Sequence, residues 1–491
     1  MPAAVRARGS RRAAPVRVLH GRVSPTNPAA RSARIRASGR FPIAASVGRR
    51  LLAAAIPAAL FILALLQCLG RETTTPFHPD EARWLSRAHF ISELKDPFGP
   101  TWSDYYVTRG QPPLGSYLMG IGLLAQGRDT DTNAVWDFGY DDEWNSFNKA
   151  MPVAEDLLAG RRTNAVVAAL VVVAVYLIGL RITGPVGAAL GALFLAFHPL
   201  HIHLGSQALS DQLLCLMLAL AFLTAFWFGN RPDLGRAVLL GTFLGLGGAT
   251  KLSPLLLSMP LAGLGAAWLL GRFRQHGHHF WKHRDARLGL LLLAQPLIAF
   301  AAFVAVSPFL WSDPIRRTYA LFEFRRIEMV GQGTKWPAVA VASPTAAMSR
   351  IGLRLNESSS TTTRIQESLS DLFAITFEPI GFDLLLVCVG GLLLALMVIR
   401  KGVFSPQGLL SVLLGGELTL IVLGMGSDFY RYYLPIVFIS AVLVSVVTDA
   451  LWKTAVRPFA RSRSPIRPSI TFSPIEHRSR EPANPSTSES M

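Results

Sequence analysis

The stretch Phe77-His-Pro-Asp-Glu-Ala-Arg-Trp-Leu-Ser-Arg-Ala-His-Phe-Ile91 follows closely after the first apolar segment, Leu51 to Leu69. Pro79 cannot continue a helix from before it, whereas Asp80 can cap a helix that begins here. The apolar residues that follow recur at helical spacing, namely Trp84, Leu85, Ala88 and Ile91. The pattern predicts a short amphipathic helix at a membrane surface, with Asp80 and Glu81 at its start. A capping Asp beside a solvated Glu is the alternative from this stretch alone.

The composition is that of an integral membrane protein. Of the 491 residues, 51% are hydrophobic and only 16% are charged, whereas soluble domains carry about 25% charged residues. The three cysteines stand in separate apolar runs, so no disulfide framework and no cysteine-based metal site is predicted. We expect an all-α fold with many membrane-spanning helices.

Apolar runs predict about ten transmembrane helices. The first is Leu51 to Leu69, and the others are near 164–182, 185–199, 211–228, 236–250, 252–270, 288–309, 380–400, 409–425 and 434–451. The runs 185–199 and 236–250 are short for a complete span, which leaves a re-entrant pair open.

The charges between these spans predict the orientation. Residues 1–50 carry twelve Arg and no acid, whereas 71–156 carry fourteen acids against seven Lys or Arg. By the positive-inside rule, the outer loops are 70–160 and 310–379, and both termini are cytoplasmic. We expect disordered tails at 1–50 and 453–491, on either side of a membrane domain at 51–452. Most of the positive charge behind the net charge of +17 is then cytoplasmic, and nucleic-acid binding is not needed to explain it.

This topology places the unusual polar residues on the outer side of the membrane. Each has a plain alternative: Lys251 and Arg431 as snorkelling anchors, and Asp211 as a helix cap. Charges at the ends of spans are costly and commonly functional. The candidate site residues are Asp80, Glu81, Arg83, His198, Asp211, Lys251, Arg431 and Tyr432.

A carboxylate beside cations at this interface suits one chemical task. The carboxylate can activate an acceptor hydroxyl while the cations stabilise a lipid-linked phosphate as it leaves. A divalent metal is left open. The run Asp141–Glu143 favours a solvated loop over a metal site, and the cluster His276, His278, His279, His283 favours an interfacial loop.

An ordered set of motifs resembles a known family. The chain resembles the polytopic GT-C glycosyltransferases of the dolichyl- or polyprenyl-phosphate-mannose protein mannosyltransferase and aminoarabinose transferase type, from about residue 50 to 452. Besides the acidic pair Asp80–Glu81, the motifs are Gln-Pro-Pro-Leu-Gly115, Ala-Gly-Arg-Arg162, Leu-Ser-Asp211, Ala-Thr-Lys251, Ser-Pro-Phe-Leu-Trp311 and Arg-Tyr-Tyr-Leu-Pro435.

The resemblance implies a polyprenyl-phosphate sugar donor and transfer on the extracytoplasmic face of the cell membrane, with inversion at the anomeric carbon. It carries the catalytic carboxylate onto Asp80, with Glu81 beside it, and suggests Lys251 and Arg431 as phosphate-binding cations. The acceptor is an envelope glycan, a lipid or a protein. Since a large lumenal domain between spans is lacking, a protein acceptor fits less well.

Two other functions are compatible with a polytopic chain. A transporter or flippase of a lipid-linked substrate would use charged residues near the bilayer midplane and internal repeats. Here the candidate residues cluster at one interface, and no repeat is evident. A non-catalytic envelope assembly subunit would use the outer motifs as scaffolding.

Overall fold

The computed structural model describes residues 42–103, 108, 110–277, 284–357, 360–374, 376 and 378–462. Most of the two predicted tails, and three members of the histidine cluster (His278, His279, His283), lie outside the described residues. The described part of the chain is all-helical, and its only β pairing is a single bridge between Ala340 and Ser427. The all-α prediction is confirmed.

The first half of the chain forms nine α-helices within the described residues. They are α1 Pro42–Leu69, α2 Pro79–Leu85, α3 Leu114–Ala125, α4 Asp142–Phe147, α5 Ala154–Ile182, α6 Pro185–Phe197, α7 Pro199–Gly205, α8 Asp211–Asn230 and α9 Leu234–Gly248.

The second half continues in the same way. Its α-helices are α10 Ser253–Leu256, α11 Ser258–His276, α12 Arg284–Leu293, α13 Gln295–Ala305, α14 Pro314–Lys335, α15 Pro344–Arg354, α16 Thr361–Phe373, α17 Asp383–Lys401, α18 Pro406–Gly424 and α19 Leu434–Ser462. Short 3-10 helices also occur, at Ala88–Lys95, Pro100–Trp102, Pro308–Leu310, Pro337–Val339 and Tyr430–Tyr433.

The protein is a multi-pass membrane protein, but the predicted count of ten spans is not confirmed. Within the described residues, seven helices are long and apolar enough to cross a membrane, or eight if α6 and α7 form one span bent by 62°. The other two predicted spans coincide with the shorter apolar helices Ala54–Leu69 and Leu234–Gly248. The bend follows from Pro199, which removes a helical backbone donor.

Burial separates the helices that form the core from those that face lipid. The apolar stretch of α19 is 83% buried, whereas that of α17 is 17% buried. The α19 helix packs closely against α6, where a Cβ on Gly191 would stand 1.9 Å from the Oγ of Ser445. Glycine is therefore required for this close helix contact, as is usual between membrane helices.

The helix α2 is shorter and more deeply packed than its sequence pattern suggests. It ends at Leu85, and the chain continues in the 3-10 helix Ala88–Lys95. Trp84 and Leu85 are buried in the main core, and a Cβ on Gly115 of α3 would approach the Trp84 ring to 2.5 Å. The apolar face thus packs against neighbouring helices, and it holds the acidic turn in one place.

Candidate active site

The first turn of α2 is closed by a reciprocal pair of hydrogen bonds. The N-cap residue is His78, and not Asp80 as the sequence suggested. The backbone N–H of Asp80 donates to Nδ1 of His78 over 3.1 Å, and the backbone N–H of His78 donates to Oε2 of Glu81 over 3.0 Å. This capping box, with Pro79 as the first helical residue, orients both acidic side chains.

Glu81 is fully buried, and its carboxylate accepts hydrogen bonds from separate segments of the protein. Arg161 donates to it twice, from Nε and from Nη2, each over 2.8 Å. The backbone N–H of Ala208 donates to the same carboxylate over 2.8 Å. Since both oxygens are engaged, Glu81 joins α2 to the start of α5 and to the α7–α8 connection.

Arg161 also orders the chain that leads into α2. Its guanidinium donates to the carbonyl oxygens of Glu72, Thr75 and Pro76, and its side chain is buried. From the sequence alone, Arg161 is only one of two adjacent arginines in a motif, and nothing marks it as a residue of the site. Its neighbour Arg162 makes an ion pair with Glu72, and 51% of the Arg162 side chain is exposed.

Asp80 is buried and forms an ion pair with Arg431 through Oδ2. Among the described residues, nothing donates a hydrogen bond to its other oxygen, Oδ1. The His78 ring lies 3.7 Å from Oδ2. Burial lowers the pKa of His78, and the nearby Arg431 lowers it further. The neutral imidazole is the form that accepts the Asp80 N–H.

A second ion pair lies close to the first. Nζ of Lys251 donates to Oδ1 of Asp211 over 2.5 Å. The ring of Tyr432 lies near both cations, with its centroid 5.9 Å from Lys251 Nζ and 5.6 Å from the guanidinium carbon of Arg431. Five predicted site residues, Asp80, Asp211, Lys251, Arg431 and Tyr432, are therefore brought together from four separate segments of the chain.

The plain alternatives for these residues can now be compared with their contacts. Asp211 makes no side-chain cap bond for α8, whose N-cap is Ser210. Lys251 and Arg431 each pair with a carboxylate that is buried in the protein. These contacts are typical of a polar cluster packed within the protein. Cationic anchors would instead extend towards the lipid headgroups.

Two predicted candidates lie apart from this cluster. His198 is the N-cap of α7, where its Nδ1 accepts the Leu200 N–H over 3.1 Å, and it lines a separate cavity. Arg83 places its guanidinium 4.9 Å from the ring of Phe138 in the outer loop.

The run Asp141–Glu143 enters α4, where the Asp141 side chain accepts the Trp144 N–H over 2.9 Å. In the part of the chain that the structure describes, no group of three or more His, Cys, Asp or Glu is arranged to hold a metal ion.

Comparisons with known proteins found one matching family model and several similar solved structures. Residues 104–309 match the family model described as dolichyl-phosphate-mannose-protein mannosyltransferase. The resemblance to this mannosyltransferase family is confirmed. The matched segment contains Arg161, Asp211 and Lys251, whereas Asp80 and Arg431 lie outside it. No curated protein matches the chain.

Several solved structures are similar to the chain at low identity. The oligosaccharyltransferase of Archaeoglobus fulgidus with a tethered acceptor peptide is 14% identical, with a TM-score of 0.46 over 83% of this chain. ArnT from Cupriavidus metallidurans bound to undecaprenyl phosphate is 14% identical, with a TM-score of 0.43 over 84% of this chain and 63% of its own. The S. cerevisiae protein O-mannosyltransferase complex bound to the sugar donor is 16% identical, with a TM-score of 0.36 over 54% of this chain and 34% of its own. The chain spans about half of the archaeal protein, 51% of its length.

Proposed function

We propose that this protein is a membrane glycosyltransferase that moves a sugar from a polyprenyl-phosphate donor to an acceptor hydroxyl. Transfer takes place on the extracytoplasmic side of the cell membrane and inverts the anomeric carbon. Both termini are then cytoplasmic, as the charges of the loops indicate. The match to the mannosyltransferase family supports the donor class.

The observation that carries this proposal is the ion pair between Asp80 and Arg431. Oδ2 of Asp80 is held by the guanidinium, which leaves Oδ1 to accept a proton. A guanidinium has five N–H donors, so Arg431 can bind a phosphate oxygen while it still orients the carboxylate. One residue thus couples the base to the leaving group.

Lys251 is the second phosphate ligand in this proposal. An ammonium group has three donors, and one of them is used by Asp211. Asp211 therefore orients Lys251 rather than taking part in the reaction. Glu81 has the corresponding supporting role beside Asp80, because both its oxygens already accept hydrogen bonds from Arg161 and the chain.

The reaction is a single displacement at the anomeric carbon. The acceptor hydroxyl gives its proton to Asp80 as its oxygen forms the new glycosidic bond. The bond between the anomeric carbon and the phosphate oxygen breaks, and the polyprenyl phosphate leaves with the electron pair. Because the phosphate gains charge during this step, nearby cations stabilise the transition state more than the ground state.

The test is a transfer assay on the full chain, purified and placed in lipid nanodiscs. A radiolabelled polyprenyl-phosphate sugar is supplied with membranes that contain the acceptor, and labelled product is measured. Asp80→Asn should reduce transfer by roughly 10²–10⁴-fold, the usual effect of losing a positioned base. Asp131→Asn, an exposed acid of the same outer loop, is the matched control and should transfer normally.

The same assay separates the three functions considered. A transporter would carry the donor across the bilayer with its sugar–phosphate bond intact, and an assembly subunit would leave the donor unchanged. Near-normal transfer by folded Asp80→Asn protein would remove Asp80 from the catalytic role.

A further inference from the structure

Glu417 is a buried acid in a helix that is long and apolar enough to cross a membrane. It belongs to α18, Pro406–Gly424, and it is 1% exposed. Along the helix axis it lies about 10 Å before the end of α18 at Gly424. An ionisable side chain inside a membrane helix is costly and commonly functional. The displacement proposed above does not use Glu417.

Only one carboxyl oxygen of Glu417 has a partner among the described residues. Oγ of Ser253 donates to Oε1 over 3.3 Å, whereas Oε2 is buried and makes no hydrogen bond. A buried polar atom without a partner costs free energy, so a further group is expected to satisfy it in the functioning protein. The turn that carries Ser253 also supplies a cation.

Lys251 is this cation. It stands two residues before Ser253, in the turn between α9 and α10, and it lies within electrostatic range of Glu417. Its ammonium group has three donors, and one of them is used by Asp211. The Lys251 side chain is 30% exposed, whereas that of Asp211 is 3% exposed. Lysine has a flexible four-carbon stem, so a single partner restricts its ammonium group only weakly.

Cys215 links the acid to the ion pair in space. It is one helical turn after Asp211 on α8, it is fully buried, and it lies within electrostatic range of the ion pair and of Glu417. The helix α18 packs against both α8 and α10. A Cβ on Gly416 would stand 2.9 Å from a leucine side chain that follows α10. This close packing fixes Glu417 beside the turn that carries Lys251.

We propose that Glu417 is a positioning residue for Lys251, and that its unpartnered oxygen Oε2 is a second acceptor for the ammonium group. One N–H then points to Asp211 and one to Glu417, which fixes the direction of the third. In the proposed function, this third donor binds the phosphate of the sugar donor, so the assignment rests on that function. Glu417 touches no reacting atom and acts by pre-organising Lys251.

The first test needs no sugar donor. A membrane-impermeant sulfonated succinimidyl acetate labels amines on the full chain in phosphatidylcholine nanodiscs, and mass spectrometry gives the rate at Lys251. An amine reacts only after it has lost its proton, and a neighbouring carboxylate disfavours that loss. Glu417→Gln should therefore speed the labelling of Lys251 about threefold. Lys149, exposed in the predicted outer loop, should be labelled at an unchanged rate.

The matched control is Thr419→Val, on the same helix. Thr419 is exposed, and its hydroxyl donates to a carbonyl of its own helix over 2.7 Å, so this variant should be labelled like the wild type. Ser253→Ala is a second variant with less risk to the fold, because Ser253 is only partly buried. It should speed labelling by a smaller factor. Wild-type labelling rates in both Glu417→Gln and Ser253→Ala would overturn the proposal.

Turnover tests whether Glu417 acts through Lys251. In the transfer assay, Glu417→Gln should lower kcat per folded molecule roughly three- to tenfold and leave the acceptor KM unchanged. In a Lys251→Gln chain the same change should lower kcat no further, because the residue that Glu417 positions is already absent. Equal losses in the two backgrounds would mean that Glu417 acts independently of Lys251 and would overturn the proposal.

The two readouts separate this proposal from the proposed function. Absence of transfer by the wild type would refute the glycosyltransferase, whereas the labelling rates would still show whether Glu417 holds Lys251. Normal transfer by the wild type, with labelling and kcat unchanged in Glu417→Gln, would refute the role of Glu417 alone.

Discussion

Arg161 holds Glu81 by two parallel hydrogen bonds of 2.8 Å between buried side chains. This pairing ties the acidic turn of α2 to the first turns of a long core helix. The bidentate geometry is specific to a guanidinium, so lysine is not equivalent at this position. The pair fixes the position of the turn that carries Asp80.

We expect Arg161→Ala to destabilise the protein strongly. Removing one member of a buried pair leaves an uncompensated charge, which costs about 3–5 kcal/mol. Arg162→Ala is the matched control, because its pair with Glu72 is largely exposed and surface pairs are worth about 0–1 kcal/mol. Thermal unfolding in detergent should show a large loss for the first variant only. Similar unfolding of both variants would mean that Glu81 does not depend on Arg161.

These two arginines show what local sequence could and could not predict. Helical membrane segments were predictable, because an apolar run carries that information within itself. Each predicted span coincides with one helix or with two consecutive helices, and α2 begins two residues before the start that an Asp80 cap predicts. By contrast, nothing local distinguishes buried Arg161 from exposed Arg162, since the difference arises from a partner eighty positions away.

The polar cluster was predicted as a set but not as pairs. Charge alternation placed Asp80, Asp211, Lys251 and Arg431 on one side of the membrane. The pairing of Asp80 with Arg431 depends on packing between the two ends of the chain, which single-sequence patterns do not contain. The same limit applies to His198. The sequence predicts it as a site residue, whereas in the structure it lines a separate cavity.

His78 should make stability depend on pH. The folded protein lowers the pKa of His78 below 6.5, mainly through burial and then through Arg431, although Glu81 and Asp211 oppose this shift. The fold therefore favours the neutral ring, which accepts the Asp80 N–H. This contribution is present above pH 6.5 and is lost as the pH falls through the folded-state pKa.

The measurement is the unfolding temperature of wild type and His78→Asn between pH 7.5 and pH 5. Asn can also cap a helix but does not titrate in this range. The wild type should lose more stability than the variant on acidification. Parallel curves for the two proteins would show that His78 does not contribute.

The orientation of the chain can be tested by cysteine labelling from outside the cell. Cysteines placed at Asp131 or Val330, which are both exposed, should react with a membrane-impermeant maleimide, since both positions are in the predicted outer loops. Cysteines at Arg40, Phe280 or Ile470 should react only after the membrane is permeabilised. Reaction at Phe280 in intact cells would reverse the orientation and contradict an extracytoplasmic site.

Lys251 and Arg431 should affect turnover rather than acceptor binding. If both cations bind the donor phosphate, Lys251→Gln and Arg431→Gln should lower kcat more than they raise the acceptor KM. Lys251→Arg should retain part of the activity, because a single charge near the phosphate suffices there. Arg431→Lys should be worse, since one ammonium cannot hold Asp80 and also bind the phosphate through two parallel bonds.

The double variant Lys251→Gln/Arg431→Gln adds a test of their coupling. Two cations that share one phosphate and one tyrosine ring should show losses in kcat that do not add. Turnover is measured on monodisperse protein, so that a loss of folded material is not counted as a loss of rate. Unchanged turnover per folded molecule in both single variants would mean that the cations only stabilise the outer surface, and Asp80 would then lack the phosphate ligands that the proposed displacement requires.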